Sequence, residues 1–203
     1  NAIAITGALD LNAAITNASS LSVSTTSDLG ANVTTSGIQT YSGAVTLSGD
    51  RTLTGSTITT NGTIVGGGNS LTITGNAVFG DGTADTVTGV NILSVSGNTT
   101  IHTNTITTTG AQTYGDNAAA DTITLGNNTT FTTTNSQITF NGTVNSEGSE
   151  TNNLTINVGS SEVEFNGAVG GGRTLNAIAI TGALDLNAAI TNAVSLSVSG
   201  ASD

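Results

Sequence analysis

The sequence predicts an all-β chain wound as a right-handed parallel β-helix (β-solenoid) of about 18 to 31 residues per coil, with no helices of note. Three observations predict it. The chain repeats itself at a long and at a short spacing, its apolar residues alternate with small polar ones over short runs, and no Pro interrupts its 203 residues. A chain without Pro keeps a backbone donor at every position, as it must where nearly every N–H joins a ladder.

The long repeat comes first. Residues 1–28 recur as residues 176–203, with changes only at Ser19/Val194, Thr25/Gly200 and Thr26/Ala201. The offset of 175 is read as the period of a tandem array: residues 1–175 are one unit and 176–203 begin the next, within a single solenoid segment spanning 1–203. With no initiator Met and no basic segment at its start, the chain is expected to begin inside something longer.

A second repeat lies within the unit. Gly37, Gln39, Thr40 and Tyr41 match Gly110, Gln112, Thr113 and Tyr114, and the offset grows from 73 there to 78 at Leu47/Leu125 and 80 at Asn61/Asn141. Insertions between matched short strands are loops on a constant frame. The shortest spacing is that of a coil: Phe140-Asn141-Gly142-Thr143-Val144 returns 25 residues later as Phe165-Asn166-Gly167-Ala168-Val169. Leu154, Leu175 and Leu196 follow one another at 21, Leu53 and Leu71 set the lower bound of 18, and Ile123 and Leu154 the upper bound of 31.

Taken in chain order, the strands read as Leu21-Ser22-Val23, Leu53-Thr54-Gly55, Leu71-Thr72-Ile73, Ile123-Thr124-Leu125, Leu154-Thr155-Ile156 and Leu196-Ser197-Val198. Each alternates with period two, so one face is buried and the other wet. Asn-Gly, Ser-Gly and Gly-Gly pairs separate them as turns. Ala118 to Ala120 is the one helix-tolerant stretch, too short to nucleate a helix. Stacked coils explain why the same inward residue returns every 20-odd residues: three short strands per coil pile their Leu and Ile into columns. At about 4.8 Å per coil the 175-residue unit makes about eight coils, roughly 38 Å long. Asn61, Asn141 and Asn166, each before Gly, fit a tight turn of positive φ, or else a ladder of side-chain amides bonded from coil to coil.

The phrase GxQTY…VTL…TLTGST…NGTI, at Gly37 to Ile64 and again from Gly110 to Val144, resembles the repeat regions of giant bacterial haemagglutinin-like and autotransporter-type adhesins. The resemblance implies export through an outer membrane and a place outside the cell or on the bacterial surface, as a stalk, adhesin or matrix fibre. The secretion domain and translocator of that family are not among these residues.

Composition narrows the chemistry. Thr (41), Gly (27), Asn (23) and Ser (21) fill more than half of the chain, and the formal charge is −11 with only Arg51 and Arg173 as basic side chains. Phosphate neutralisation needs a stripe of Lys and Arg, so no nucleic-acid partner is expected. There is no Cys, hence no disulfide, thiolate zinc site or thiol nucleophile. No apolar run approaches the roughly 20 residues that cross a bilayer as a helix.

No catalytic, cofactor-binding or metal-binding residue is assigned. His102 is the single imidazole and reads as a solvated outward side chain. Glu162 and Glu164 alternate on one face of a strand and could form an acid/base couple, with solvated surface charge as the simpler reading; Glu147 and Glu150 lie in a polar loop. Calcium is the only cofactor weighed, at the Asp81/Asp85 and Asp116/Asp121 turns, whose pattern lacks the iterated Gly-Gly of calcium-binding nonapeptides. Asp10 and Asp185 are repeat equivalents that read as outward carboxylates keeping neighbouring rods apart. The dense Thr runs 57–60, 105–109 and 129–134 do not keep a common spacing, which points to a wet sheet face and not an ice- or glycan-matching array.

The expectation is therefore a non-enzymatic structural repeat of an extracellular bacterial fibre or adhesin stalk. Its partner would be itself, end to end or side by side. The second reading is a β-helical module that binds a glycan or host surface, and a third is a β-helical carbohydrate enzyme.

Overall fold

The computed structural model describes residues 1–116 and 120–203, and among these there is no helix. The helix-tolerant stretch 118–120 lies, but for residue 120, outside the described residues. Every strand pairing among the described residues is parallel. The chain is a β-solenoid of about ten coils, with three faces to each coil.

The first coil is β1 (Ala2–Ile5), β2 (Leu9–Leu11) and β3 (Ile15–Ala18), one strand per face. β4 (Ser20–Val23), β5 (Ser27–Leu29) and β6 (Val33–Thr35) lie on them in the same order. The third coil holds β7 (Gln39–Tyr41), β8 (Val45–Leu47) and the first half of β9 (Arg51–Thr60), which turns a corner so that its second half opens the fourth. β10 (Ile64–Val65) and the start of β11 (Leu71–Phe79) complete the fourth; the rest of β11, β12 (Thr86–Val90) and β13 (Leu93–Val95) make the fifth.

The sixth coil is β14 (Thr99–Ile101), β15 (Thr105–Thr108) and β16 (Gln112–Tyr114), and the seventh β17 (Thr122–Leu125), β18 (Thr129–Thr132) and β19 (Ile138–Phe140). In the eighth, β20 (Thr143–Ser146) precedes β21 (Leu154–Phe165), which covers two faces. Val169 bridges onto Val144 in the ninth and leads to β22 (Leu175–Leu186), again across two faces; Ile190, β23 (Ala193–Val198) and Ser202 form the tenth.

Alternation sends two side chains inward from most strands, and the inward residues stack as columns. On the third face Leu53, Ile73, Val95, Tyr114, Phe140 and Phe165 stand one above another. The aromatic members stack: Phe140 lies 5.3 Å from Tyr114 at 13° and 5.1 Å from Phe165 at 12°, while Phe131 meets both Tyr114 and Phe140 edge-on. Burying each such side chain contributes about 1.5–3 kcal/mol. No charged side chain among the described residues is buried.

Stacked positions are 17 to 26 residues apart, from Ala18/Thr35 to Tyr114/Phe140. The 31-residue upper bound is therefore too long. Ile123 stacks on Thr99 and under Val144, whereas Leu154 stacks on Thr129, one face away. Nor do Leu154, Leu175 and Leu196 share a column: Leu154 lies under Ile178 and Ile178 under Leu196, while Leu175 pairs with Ala193. Likewise Leu53 pairs with Ile73 and Leu71 with Arg51. Corner loops of unequal length let an even spacing fall at different positions along one face, or on different faces.

Both sequence repeats return on a different face. Ile3 and Leu21 stack on the first face, but their repeat equivalents Ile178 and Leu196 stack on the second, eight coils and one face further on. Gln39 belongs to the first face and its equivalent Gln112 to the third, three coils and two faces on. Yet the local structure is the same. Each Gln is buried, takes a hydrogen bond at Oε1 from the Tyr two residues on (2.9 Å in both), and donates Nε2 to a carbonyl in the next strand pair, Thr54 O at 2.8 Å or Thr132 O at 3.0 Å. Thr35 and Thr108 close the preceding corner by donating to Gly37 O and Gly110 O. The repeating element is thus a strand and its corner, and it sits at two of the three corners of the section, before the first face and before the third. The five- and two-residue insertions fall at corners, before β17 and before β19, and the second contains Asn135, the one non-Gly residue of positive φ (53°) among the described residues.

Candidate functional site

The outer surface holds three groupings of polar side chains with chemical potential. The first joins residues far apart in sequence. His102 follows β14 and Glu147 follows β20, two coils higher, and His102 Nε2 lies 3.1 Å from Glu147 Oε2. They meet because Gly126, in the coil between, has no side chain: a Cβ there would lie 2.2 Å from His102 Cδ2 and 2.8 Å from Glu147 Oε2. Asn127 Nδ2 donates to His102 O beside the pair. The single His is therefore outward but paired, not simply solvated. Nothing in the sequence marks a partner 45 residues away; only the sum of two coil lengths does. The pair is half exposed and screened by water, so it contributes at most about 1 kcal/mol when His102 carries its proton.

The second grouping is the carboxylates of β21. Glu162 and Glu164 point outward on either side of buried Val163, as their alternation predicts. Gln137 Nε2 donates to Glu162 Oε1 at 3.0 Å and Glu164 Oε2 at 3.3 Å, Thr139 Oγ1 donates to Glu164 Oε2 at 3.3 Å, and Asp185 stands beside Glu164 in the next coil. Both carboxylates are thus held by neutral donors. Neither Arg joins them. Arg51 Nε donates to Leu29 O at 2.8 Å and Nη2 to Ser48 O at 3.2 Å, tying two coils together.

The two Asp pairs share one kind of hydrogen bond. Asp81 N donates to Asp85 Oδ2 at 3.3 Å and Asp116 N to Asp121 Oδ2 at 2.9 Å, each after a Gly of positive φ, Gly80 or Gly115. The second carboxylate of each turn therefore caps its own loop. No group of three or more His, Cys, Asp or Glu side chains is placed to hold a metal among the described residues. Asp10 is outward as expected and stacks under Asp28, while Asp185 lies beside Glu164.

The third grouping corrects the reading of the Thr runs. On the second face Thr86, Thr105, Thr130 and Thr155 stack in register, and Thr107 stacks under Thr132 beside them. On the third face Thr52 and Thr54 stack under Thr72 and Thr74. The spacing of the runs in sequence is irregular because corner loops differ in length and because the runs lie on two faces, 57–60 on the first and Thr105–Thr108 and Thr129–Thr132 on the second. Thr57 to Thr60 contributes differently, since Thr60 turns inward and donates to Val78 O.

The Asn-Gly corners also depart from the favoured turn reading. Neither Asn61, Asn141 nor Asn166 has positive φ, and neither do the glycines that follow them. Asn166 Nδ2 donates to Asn141 Oδ1 and Asn187 Nδ2 to Asn166 Oδ1, both at 3.0 Å, with Asn141 Nδ2 ending the ladder on Gly115 O at 2.9 Å. Gly serves the ladder by letting coils touch: a Cβ on Gly167 would lie 2.3 Å from Gly142 O, and one on Gly142 2.5 Å from Asp121 O.

No helix among the described residues is long and apolar enough to cross a membrane. No protein-family model, curated protein or solved structure matches the chain.

Proposed function

We propose that the chain is a structural repeat of an extracellular bacterial fibre or adhesin stalk, non-enzymatic, whose work is to be long and stiff. The observation that carries this reading is the single apolar core that runs through about ten parallel coils, in a chain whose sequence begins again at residue 176. Such a stack has no natural length; each coil presents a template for the next. The polar groupings support it too, since the carboxylates and the Asp turns are spent on holding neighbouring strands and loops. A net charge of −11 favours rods that repel one another at low salt, and divalent cations are the natural bridge between them. The likeness of the GxQTY phrase to haemagglutinin-like and autotransporter-type adhesins is what favours a bacterial surface for such a rod.

Electron microscopy of chains carrying several units tests the reading. Rods that lengthen by about 40 Å per unit are expected; chains that collapse into globules or do not lengthen overturn it. The in-register Thr rows on the second face favour a second reading, a module that binds a glycan or host surface. A glycan array probed with the chain and with a Thr105→Val/Thr130→Val variant tests that one: hits lost in the variant support it.

A further inference from the structure

Because 1–28 and 176–203 are nearly the same sequence, the chain contains its own control for what a covering coil does. Leu21 is 1% exposed and Val23 fully buried, covered by Gln39 and Tyr41 of the next coil, and Leu21 donates its amide to Ile38 O there at 3.1 Å. Leu196, the equivalent of Leu21, has the same strand beneath it, Ile178 standing for Ile3, and is 47% exposed. The difference is the strand of residues 39–41, which covers Leu21.

We infer that each 175-residue unit turns the stack by one face, and that a further copy of residues 29–47 fits over residues 193–198 as the first copy fits over residues 20–23. The inference rests on the reading of the chain as a repeat of a longer stack. The occupant follows from the repeat: whatever covers Leu21 and Val23 fits Leu196 and Val198, and in this sequence that is Gln39 and Tyr41 with their corner. The turn follows from the placement of the two copies. Residues 2–5 occupy the first face and their equivalents the second, so a third copy starts on the third face and a fourth returns to the first. One side of the rod then repeats only every third unit, about 120 Å apart at about 4.8 Å per coil. A surface feature such as the His102–Glu147 pair is shown to all three sides in succession. A partner that grips one such feature on a single side would meet it at every third unit, and neighbouring rods would meet equivalent surfaces from every direction.

The chain has no Cys, so introduced pairs report cleanly. Neighbours in a parallel ladder have Cα atoms within disulfide reach. In the full chain, Thr155→Cys with Ala179→Cys is expected to close on oxidation, because these residues are in register on the second face. Closure of Asn145→Cys with Ala179→Cys instead would put the second copy on the first face and overturn the turn. In a chain lengthened by repeating residues 29–203 after Asp203, a Cys at Ser197 and one at the added copy's position 40 are expected to join, as Ser22 and Thr40 are in register here. Hydrogen exchange at Leu196 is expected to slow to the level of Leu21. A lengthened chain that keeps its strand signal and protease resistance but neither joins nor slows overturns the fit of the added copy. Rods of several units imaged at the level of coils decide the period: a surface repeating every unit, about 40 Å, overturns the inference while leaving the fibre reading intact. Disulfides that form in chains that make no rods overturn the fibre reading alone.

Discussion

Asn166 donates its side-chain amide to Oδ1 of Asn141 directly below it, at 3.0 Å, and accepts in turn from Asn187 above. A ladder of this kind pairs every amide along the axis and ties corners that the apolar column does not reach. Asn166→Ala leaves one donor and one acceptor to water and is expected to lower stability by about 1 kcal/mol. Asn166→Asp accepts from Asn187 but turns a carboxylate on Asn141 Oδ1. Its charged form is disfavoured in the fold, so its deficit is expected to be larger at pH 7 than below about pH 4, where the acid is protonated and donates again. Urea midpoints at the two pH values check this; equal deficits would mean that the ladder bond has no energetic weight.

Gly167 sits so close on Gly142 that a Cβ would lie 2.3 Å from its carbonyl oxygen, and no flexible side chain can yield. Gly167→Ala is expected to cost about 1–3 kcal/mol by forcing coils apart. Gly7→Ala serves as the comparison, because nothing lies within 4 Å of a Cβ there. Thermal melts of the two variants that shift alike would refute steric stacking as the reason for Gly at this corner.

Thr99 points into the first-face column between Ala77 and Ile123, fully buried, and its hydroxyl has no hydrogen-bond partner. Thr99→Val replaces that hydroxyl with a methyl of the same shape. The variant is expected to be more stable by about 1 kcal/mol. A loss of stability on denaturation would show that the hydroxyl is satisfied in solution.

Tyr41 and Tyr114 are the chain's two tyrosines, and burial pushes both phenols well above their ordinary range. The fold therefore holds these protons more tightly than the unfolded chain does. That contribution is fully present below the unfolded value near pH 10 and is lost as pH rises above it. Phenolate absorbance at 295 nm is expected to stay absent through pH 10 and to appear only together with loss of the strand signal. Ionisation in a chain that is still folded would contradict the buried Gln–Tyr pairs.

Much of the architecture is legible in sequence, and the reason is local. Alternation in Leu21-Ser22-Val23 or Ile123-Thr124-Leu125 fixes which side chains face inward, and the pair Phe140/Phe165 gives a true stacking distance because both stand in the third-face column. What the sequence hides is the position within the coil. Leu154, Leu175 and Leu196 keep an even spacing yet occupy two columns, since corner loops change the length of each coil without changing its strands. The same uncertainty conceals the contact of His102 with Glu147 across Gly126 and the register of Thr105 with Thr130. Asn-Gly misleads for a different reason: the pair is a turn signal in hairpins, but here Asn reaches along the axis and Gly makes room, and neither needs a left-handed backbone.

All ladders among the described residues run parallel, so the bonds that join one coil to the next point along the long axis. A pull on the two ends loads them in tension, a few at a time at the outermost coil, and not in shear across a whole sheet. Under load the molecule should unspool from an end, each coil of about 20 residues paying out about 70 Å of slack before the next is reached. A tether built this way absorbs a jerk by lengthening in small steps, and rewinds on the template of the coil that remains.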